Sequence, residues 1–189
     1  MNRRRLPALG TLAAAVAAAV TGGCSSYQSY QESRVTLTEQ WFGAPQAVAL
    51  ARLAPVGGSR VEGSVGFYQY GAFVVVRANF LGLAANRDYG LHVHEGRNCA
   101  DIGGHFNPRG TPHGRFDQDA RHAGDLPNVR AEGEASTMYA FQAGALTVTE
   151  GRNSVIGRTI VLSRDPDDYR TQPDGASGPP LACGFIRPG

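Results

Sequence analysis

The six residues Tyr89-Gly90-Leu91-His92-Val93-His94 alternate between apolar and polar or small side chains along most of their length. A period of two residues is typical of a β-strand with one face toward a core. Residues i and i+2 of a strand point to the same side, so the imidazoles of His92 and His94 are expected to lie side by side. The segment therefore predicts a strand that carries two nitrogen donors on one face.

Short strands of the same kind are predicted on both sides of this segment. The chain has 189 residues with 25 Gly and 11 Pro, which disfavours long helices and favours turns and strands. The length fits one domain with a tail. Seven or eight short strands without a helical period predict an all-β antiparallel sandwich or barrel. The other strand candidates are residues 47–53, 61–70, 72–83, 137–141, 159–162 and 183–186.

The long segment 95–135 has almost no apolar periodicity, although it lies inside the domain. A stretch of this length without a regular element is usually functional, and something other than a core must order it. All five His of the chain fall within residues 92–122, and Asp125 follows closely. Such clustering predicts a metal site. The alternative, a set of pH-sensitive surface histidines, leaves the ordering of the segment unexplained.

The residue types in this segment indicate which metals would be bound. Three His and one Asp form a closed four-ligand shell that suits Zn²⁺. The two His of the predicted strand offer nitrogen donors that suit copper. Ligating imidazoles need an acceptor for their second N–H group, and Asp167 or Asp168 is available later in the chain.

The N-terminus has the pattern of an export signal. Arg3, Arg4 and Arg5 precede an apolar run over residues 9–20 that ends at Thr21-Gly22-Gly23-Cys24. Small residues before a Cys are typical of a bacterial lipoprotein signal, so we predict a signal peptide over residues 1–23 and lipid attached to Cys24. A polar tether over 24–45 and a domain over 46–189 would follow. The alternative is ordinary secretion with a cleavage site nearby.

The predicted export has consequences for partners and for redox state. The protein would be anchored in the cell envelope, facing the periplasm, and its net charge of +2 disfavours a nucleic-acid partner. If Cys24 carries lipid, Cys99 and Cys183 remain in an oxidising compartment. We expect these two to form a disulfide that closes a long loop.

The His-containing segments resemble the copper/zinc superoxide dismutase family. The resemblance spans about residues 46–187, which is most of the predicted domain. It implies an eight-stranded Greek-key β-barrel and a disulfide between Cys99 and Cys183. The matching segments are H-V-H-E at 92–95, G-G-H-F-N-P at 103–108, H-G at 113–114, H-A-G-D-L-P-N at 122–128, G-R-T-I-V-L at 157–162, D-D-Y at 167–169 and L-A-C-G at 181–184.

The resemblance also implies roles for individual residues. By that match Asp167 connects a copper ligand to a zinc ligand, and it would orient His92 and His113. His105 would bridge the two metals. The implied copper ligands are His92, His94 and His105, and the implied zinc ligands are His105, His113, His122 and Asp125.

Two positions depart from the family pattern. The family has a fourth copper His where this chain has Ser163, and an Arg that guides superoxide where this chain has Pro180. We therefore expect an intact zinc site, a three-His copper site with weakened hold on Cu²⁺ and Cu⁺, and weak or absent superoxide dismutation. The alternatives are an active dismutase with another donor on copper, a copper or zinc carrier or buffer, and a scaffold that binds a protein or haem. The sequence leaves the oligomeric state open.

Overall fold

The computed structural model describes residue 45 and residues 47–133 and 137–189. The predicted signal peptide, the lipidation site Cys24 and nearly all of the predicted tether lie outside the described residues. Within the described ranges, no helix is long and apolar enough to cross a membrane. The described elements are ten strands: β1 (Ala47–Pro55), β2 (Glu62–Tyr70), β3 (Phe73–Leu81), β4 (Arg87–Tyr89), β5 (Leu91–His94), β6 (Val129–Ala131), β7 (Thr137–Ala143), β8 (Thr159–Ser163), β9 (Pro180–Phe185) and β10 (Arg187–Pro188).

The strands form one large antiparallel sheet and one small one. The large sheet has the order β5-β8-β9-β1-β2-β3-β7, and the short β10 pairs with β1. The small sheet pairs β4 with β6. β2 and β3 form a tight hairpin through Gly71, whose φ of 57° is the left-handed conformation that glycine adopts without strain.

The connections between the strands are those of a curled β-barrel. β3 is followed in sequence by β4, but its hydrogen-bonded neighbour is β7, so the chain crosses over as in a Greek key. β4 runs into β5 through Gly90, which joins the small sheet to the edge of the large one. A Cβ atom at Gly90 would lie 2.8 Å from Ser177 Oγ, which explains the glycine at this position. The predicted all-β barrel class is confirmed.

The number of strands differs from the predicted eight for local reasons. Gly90 divides one predicted strand into β4 and β5, and β10 is an extension of two residues on the edge of β1. β6 has only three residues, which is too short to show an alternating pattern in the sequence.

β5 and β8 are buried on both faces, so the two histidines on β5 lie in the interior of the protein. All four residues of β5 and all five of β8 are buried. Leu91 and Val93 belong to the hydrophobic core, whereas His92 and His94 alternate with them and face the long loop. Backbone bonds from Val93 N to Gly124 O (3.0 Å) and from Phe106 N to Val93 O (2.8 Å) attach that loop to the strand.

The long loop is also fixed to the barrel by a covalent bond and by core contacts. Cys99 and Cys183 form a disulfide, which confirms the predicted pair. Cys183 lies on β9, so the bond joins the loop directly to the large sheet. Phe106 and Leu126 of the loop are buried in the hydrophobic core. The loop is therefore held at several points although it has no long strand of its own.

Candidate metal centre

The five histidines and one aspartate that the sequence singled out lie in two buried clusters that share a residue. In each cluster, one potential ligand atom per residue lies within 4.8 Å of the others. His105 belongs to both. The first cluster is His92, His94 and His105, and the second is His105, His113, His122 and Asp125.

Short backbone pairings bring the distant parts of the loop to β5. Isolated antiparallel bridges connect His92 to Asp125 and His94 to His105. Gly124 makes this approach possible, because a Cβ atom there would collide with the carbonyl oxygen of Val93. The strand thus organises ligands from both ends of a loop that spans more than thirty residues.

Asp125 is the charged centre of the second cluster. Its Oδ1 accepts a hydrogen bond from His105 Nδ1 (2.8 Å), and its Oδ2 accepts from the backbone N–H groups of His122 (2.9 Å) and Gly114 (3.1 Å). Burial opposes its ionisation, but the neighbouring His105, His113 and His122 hold the pKa of this carboxyl well below its usual range. Asp125 is therefore a fixed anion facing three imidazoles.

Asp167 connects the two clusters from behind. Its Oδ2 lies 2.7 Å from His92 Nε2 and its Oδ1 lies 3.0 Å from His113 Nε2. Burial works against ionisation, yet the two imidazole hydrogen bonds lower the pKa of Asp167 to about 2. The neighbouring Asp168 is exposed and bonds instead to Arg170 and Thr171 of its own loop. Of the two carboxylates that the sequence offered, Asp167 is the one in contact with the imidazoles.

The imidazole nitrogens that face the interior of the two clusters are arranged in a way that fits metal ligation. His92 Nδ1 and His94 Nε2 are buried and have no hydrogen-bond partner among the described residues. His113 Nδ1 and His122 Nδ1 are also buried and face the Asp125 carboxylate, at 3.1 Å from Oδ2 and 3.3 Å from Oδ1. A buried polar atom without a partner is costly, and a bound cation removes that cost. Each of these atoms lies on a ring whose residue belongs to one of the two clusters. The donor set of three nitrogens and one carboxylate fits Zn²⁺, and the three-nitrogen set fits copper.

Two histidines of the first cluster, His94 and His105, have lowered pKa values that favour the neutral ring a metal ligand needs. Burial lowers the pKa of His94 to about 3, and the neighbouring His105 adds to the effect. Burial likewise lowers the pKa of His105 to about 4, although its bond to Asp125 works in the opposite direction. Neutral rings keep a lone pair available for a cation.

The two positions that depart from the family pattern lie at the same place beside the first cluster. Ser163 and Pro180 both line a cavity of about 400 Å³ that also reaches His94 and His105. Asp174 is the one carboxylate among its lining residues, and neither Lys nor Arg lines it in the described part of the chain. The remaining walls include the apolar side chains of Ile102, Val161 and Pro173.

Four residues that support the site have no role assigned from the sequence. Gln172 accepts from His113 N and donates to His113 O, both at 2.8 Å. Asn128 donates to Asp167 O and accepts from Asp167 N. Glu95 pairs with Arg158, whose guanidinium stacks over Phe106 beside His105. These contacts join residues far apart in sequence. Glu95, Asn128 and Arg158 lie inside segments that resemble the family but were assigned no role, and Gln172 lies outside those segments.

Comparison with known proteins places the geometry in a family. The family model described as copper/zinc superoxide dismutase (SODC) matches residues 61–186. A Cu-Zn superoxide dismutase of Talaromyces marneffei is 36% identical over 153 residues, covering 75% of this chain and 96% of that protein. The extracellular Cu-Zn superoxide dismutase of Caenorhabditis elegans is 34% identical over 134 residues, covering 66% of this chain and 60% of that protein.

A solved structure agrees with the sequence relatives. The crystal structure described as the clock protein EA4 aligns with a TM-score of 0.68 and 30% identity, and the match covers 76% of this chain and 95% of that one. Residues 61–186, which match the family model, include the His-containing loop, both cysteines of the disulfide and the strands that carry them. The chain belongs to the copper/zinc superoxide dismutase family.

Proposed function

We propose that this protein is a zinc-holding member of the family whose copper site has three histidines and whose superoxide dismutation is weak or absent. The observation that carries the proposal is the pair Ser163 and Pro180, which line the cavity beside His94 where the family has a His and an Arg. Bound copper supplies one-electron redox chemistry in this family. The residues that would retain it and attract its substrate are the ones that differ.

The zinc half of the centre supports stable binding. His105, His113, His122 and Asp125 are all buried and form a complete four-ligand set. Asp125 brings one negative charge, and Asp167 holds the ring of His113 from its other nitrogen at 3.0 Å. Zinc bound here would order the loop between His105 and Asp125.

The copper half has fewer donors. His105 is shared with the zinc cluster, so only His92 and His94 belong to the copper cluster alone. The hydroxyl of Ser163 is a hard neutral oxygen and a poor ligand for Cu⁺. We therefore expect the protein to bind copper more weakly than its relatives and to lose the reduced ion readily.

The charge of the cavity also disfavours superoxide as a substrate. An anion that approaches His94 meets Asp174 and finds no guanidinium or ammonium group among the lining residues. Preorganised positive groups at an anion site are worth about 10² to 10³ in rate. The same acidic cavity favours a cation, which supports a second candidate function: a carrier or buffer for copper or zinc in the cell envelope.

The location is part of the proposal. The disulfide fits an oxidising compartment, and the N-terminal pattern that ends at Cys24 favours a lipid anchor on a bacterial envelope membrane, facing the periplasm. Radiolabelled lipid incorporation into the full chain, lost in Cys24→Ala, would test the anchor.

The decisive test is turnover at known metal content. Protein loaded with zinc and copper, with both metals quantified by mass spectrometry, is assayed for superoxide consumption beside a relative that has the complete His set. We expect stoichiometric zinc and a rate per copper at least about 10²-fold lower. A rate per copper equal to that of the relative would refute the proposal. Transfer of copper to a chelating acceptor protein, faster than from the relative, would favour the carrier function.

A further inference from the structure

The cavity beside Ser163 has the size and walls of a small-molecule site. Its volume of about 400 Å³ lies within the roughly 300–1,000 Å³ that such sites occupy. Ser163 is itself buried, and its backbone is fixed by a bond from its N–H to Gly90 O at 2.8 Å. The Ser163 side of the cavity is therefore fixed by the sheet, whereas Pro173, Asp174 and Gly178 form its exposed rim.

We propose that this cavity binds a small neutral nitrogen donor of the imidazole type, which supplies the copper ligand that the chain itself lacks. The inference rests on the proposed three-histidine copper site. It adds the chemical class of the fourth copper ligand, which would occupy the space bounded by Ser163, Pro180, Asp174 and His94.

The location of the cavity fits the missing donor. Ser163 occupies the chain position at which the family has its fourth copper His, and its short side chain faces the same cavity as His94 and His105. The buried Nε2 of His94 has no hydrogen-bond partner among the described residues. A donor that enters on the Ser163 side therefore reaches the copper cluster directly.

The walls favour a flat, neutral heterocycle over an anion. Ile102, Val161, Pro173 and Pro180 present apolar surface that would strip water from a hydrated ion without replacing it. Asp174 adds negative charge to the same space. A neutral ring with apolar edges loses little on entering such a cavity, whereas azide or another small anion loses its hydration and is repelled.

Asp174 also provides the acceptor that a metal-bound imidazole needs. A ligating imidazole keeps one N–H group, and proteins nearly always pair that group with a carboxylate or a carbonyl. Asp174 Oδ1 accepts a hydrogen bond from Ala176 N at 3.2 Å, and its Oδ2 has no hydrogen-bond or ion-pair partner among the described residues. The pairing would repeat the arrangement in which Asp167 holds His92 and His113.

The test uses imidazole itself as the probe. Zinc-loaded full-length protein is titrated with Cu²⁺ alone, with Cu²⁺ and imidazole, and with Cu²⁺ and azide, while electron spin resonance and the visible d–d band are recorded and copper content is measured after gel filtration. We expect imidazole to shift both spectra with saturation at one equivalent per copper and to raise the copper retained at least 10-fold. Azide is expected to produce a response at least 10-fold weaker.

Variants identify the site. Ser163→His should give the imidazole-shifted spectrum without added imidazole and should no longer respond to it. Asp174→Asn should weaken imidazole binding about 10-fold and improve the azide response. Ser64→His, which adds a histidine on the exposed outer surface of β2, is the matched control and should behave as the parent protein.

The outcomes separate this inference from the proposed function. If Cu²⁺ binds but imidazole changes neither spectrum nor retention, the inference is overturned and the three-histidine site stands. An imidazole response that survives in Ser163→His would place the ligand elsewhere and also overturn it. If copper is not retained with or without imidazole, both the copper site and the inference fail.

Discussion

Ser163 and Pro180 are direct cross-strand partners where β8 pairs with β9, at a register shift that follows Leu162. The two differences from the family pattern, 17 residues apart in sequence, are therefore one local feature of the structure. The adjoining bond from Arg164 N to Pro179 O, 3.0 Å long, keeps the strand ends together. Pro180 is the first residue of β9, a position where proline costs little because no ladder bond is lost.

Because Ser163 and Pro180 are neighbours, restoring the family's His and Arg at both positions is expected to improve copper binding and turnover together. The double variant Ser163→His/Pro180→Arg should retain copper through dialysis and should consume superoxide about 10² to 10³ times faster per copper than the parent. The His supplies the missing nitrogen and the Arg supplies the missing positive charge. Copper content and superoxide consumption are measured on the same samples.

The single variants distinguish the effect on copper retention from the effect on the rate. Ser163→His alone should raise copper retention with little gain in rate, whereas Pro180→Arg alone should raise the rate only for the fraction that holds copper. A fully copper-loaded double variant with the rate of the parent protein would contradict this interpretation of the two positions.

Local patterns in the sequence predict much of this fold. The alternation at residues 89–94 predicts β5, and the buried β8 and β9 fall close to the apolar runs at 159–162 and 183–186. β6 escapes prediction because three residues are too few to show a period. The division at Gly90 escapes it because β4 pairs with β6 whereas β5 pairs with β8, and both partners are distant in sequence.

The sequence predicts the metal-ligating residues of the candidate site but not the hydrogen bonds and strand pairing that hold them in position. The density of His and the resemblance identify both clusters and Asp167. The bonds of Gln172 to the backbone of His113 depend on how two loops meet, which no periodicity encodes. The pairing of Ser163 with Pro180 likewise needs the register of two strands, and a register shift makes it unpredictable from spacing.

Asp167 is expected to control the affinity of both clusters. Asp167→Asn keeps the size of the side chain but cannot accept a bond from both His92 Nε2 and His113 Nε2 through two charged oxygens. Loss of such a supporting carboxylate typically weakens metal binding 10- to 100-fold. Competition with a chelator measures the affinities for zinc and copper. Asp168→Asn, the exposed neighbour, is the control and should leave both affinities unchanged; an equal loss in both variants would indicate general disturbance of the loop.

The disulfide is expected to be a major source of stability. Cys99 and Cys183 are separated by 84 residues. Closing a loop of that length lowers the entropy of the unfolded chain, which raises the free energy of unfolding by about 4 kcal/mol. The double variant Cys99→Ala/Cys183→Ala should therefore lower the melting temperature by roughly 8–16 °C. Calorimetry of the zinc-loaded variant checks the value. A change below about 2 °C would show that the loop is held by its core contacts and by zinc rather than by the covalent bond.

The buried histidines predict how the stability of the metal-free protein depends on pH. Burial lowers the pKa of His94 to about 3 and that of His105 to about 4 in the folded state, from an ordinary value of 6.5. Below pH 6.5 the unfolded chain takes up protons at these rings and the folded chain does not, so stability falls with decreasing pH. His113 contributes to the pH dependence with the opposite sign. Burial opposes its protonation, but Asp125 and Asp167 raise its pKa to about 10. Its stabilising contribution is complete below pH 6.5 and is lost as the pH rises toward 10.

Metal-free protein should accordingly be most stable near pH 6.5. On the acid side, His94 and His105 each contribute a slope of up to about 1.4 kcal/mol per pH unit, and on the alkaline side His113 contributes a slope of the same size and opposite sign. Denaturant unfolding at pH 4.5 to 9 measures the profile. His94→Gln should reduce the acid slope by about half and leave the alkaline slope unchanged. Stability that stays level or increases from pH 6.5 to 4.5 would show that these rings are not held neutral in the folded chain.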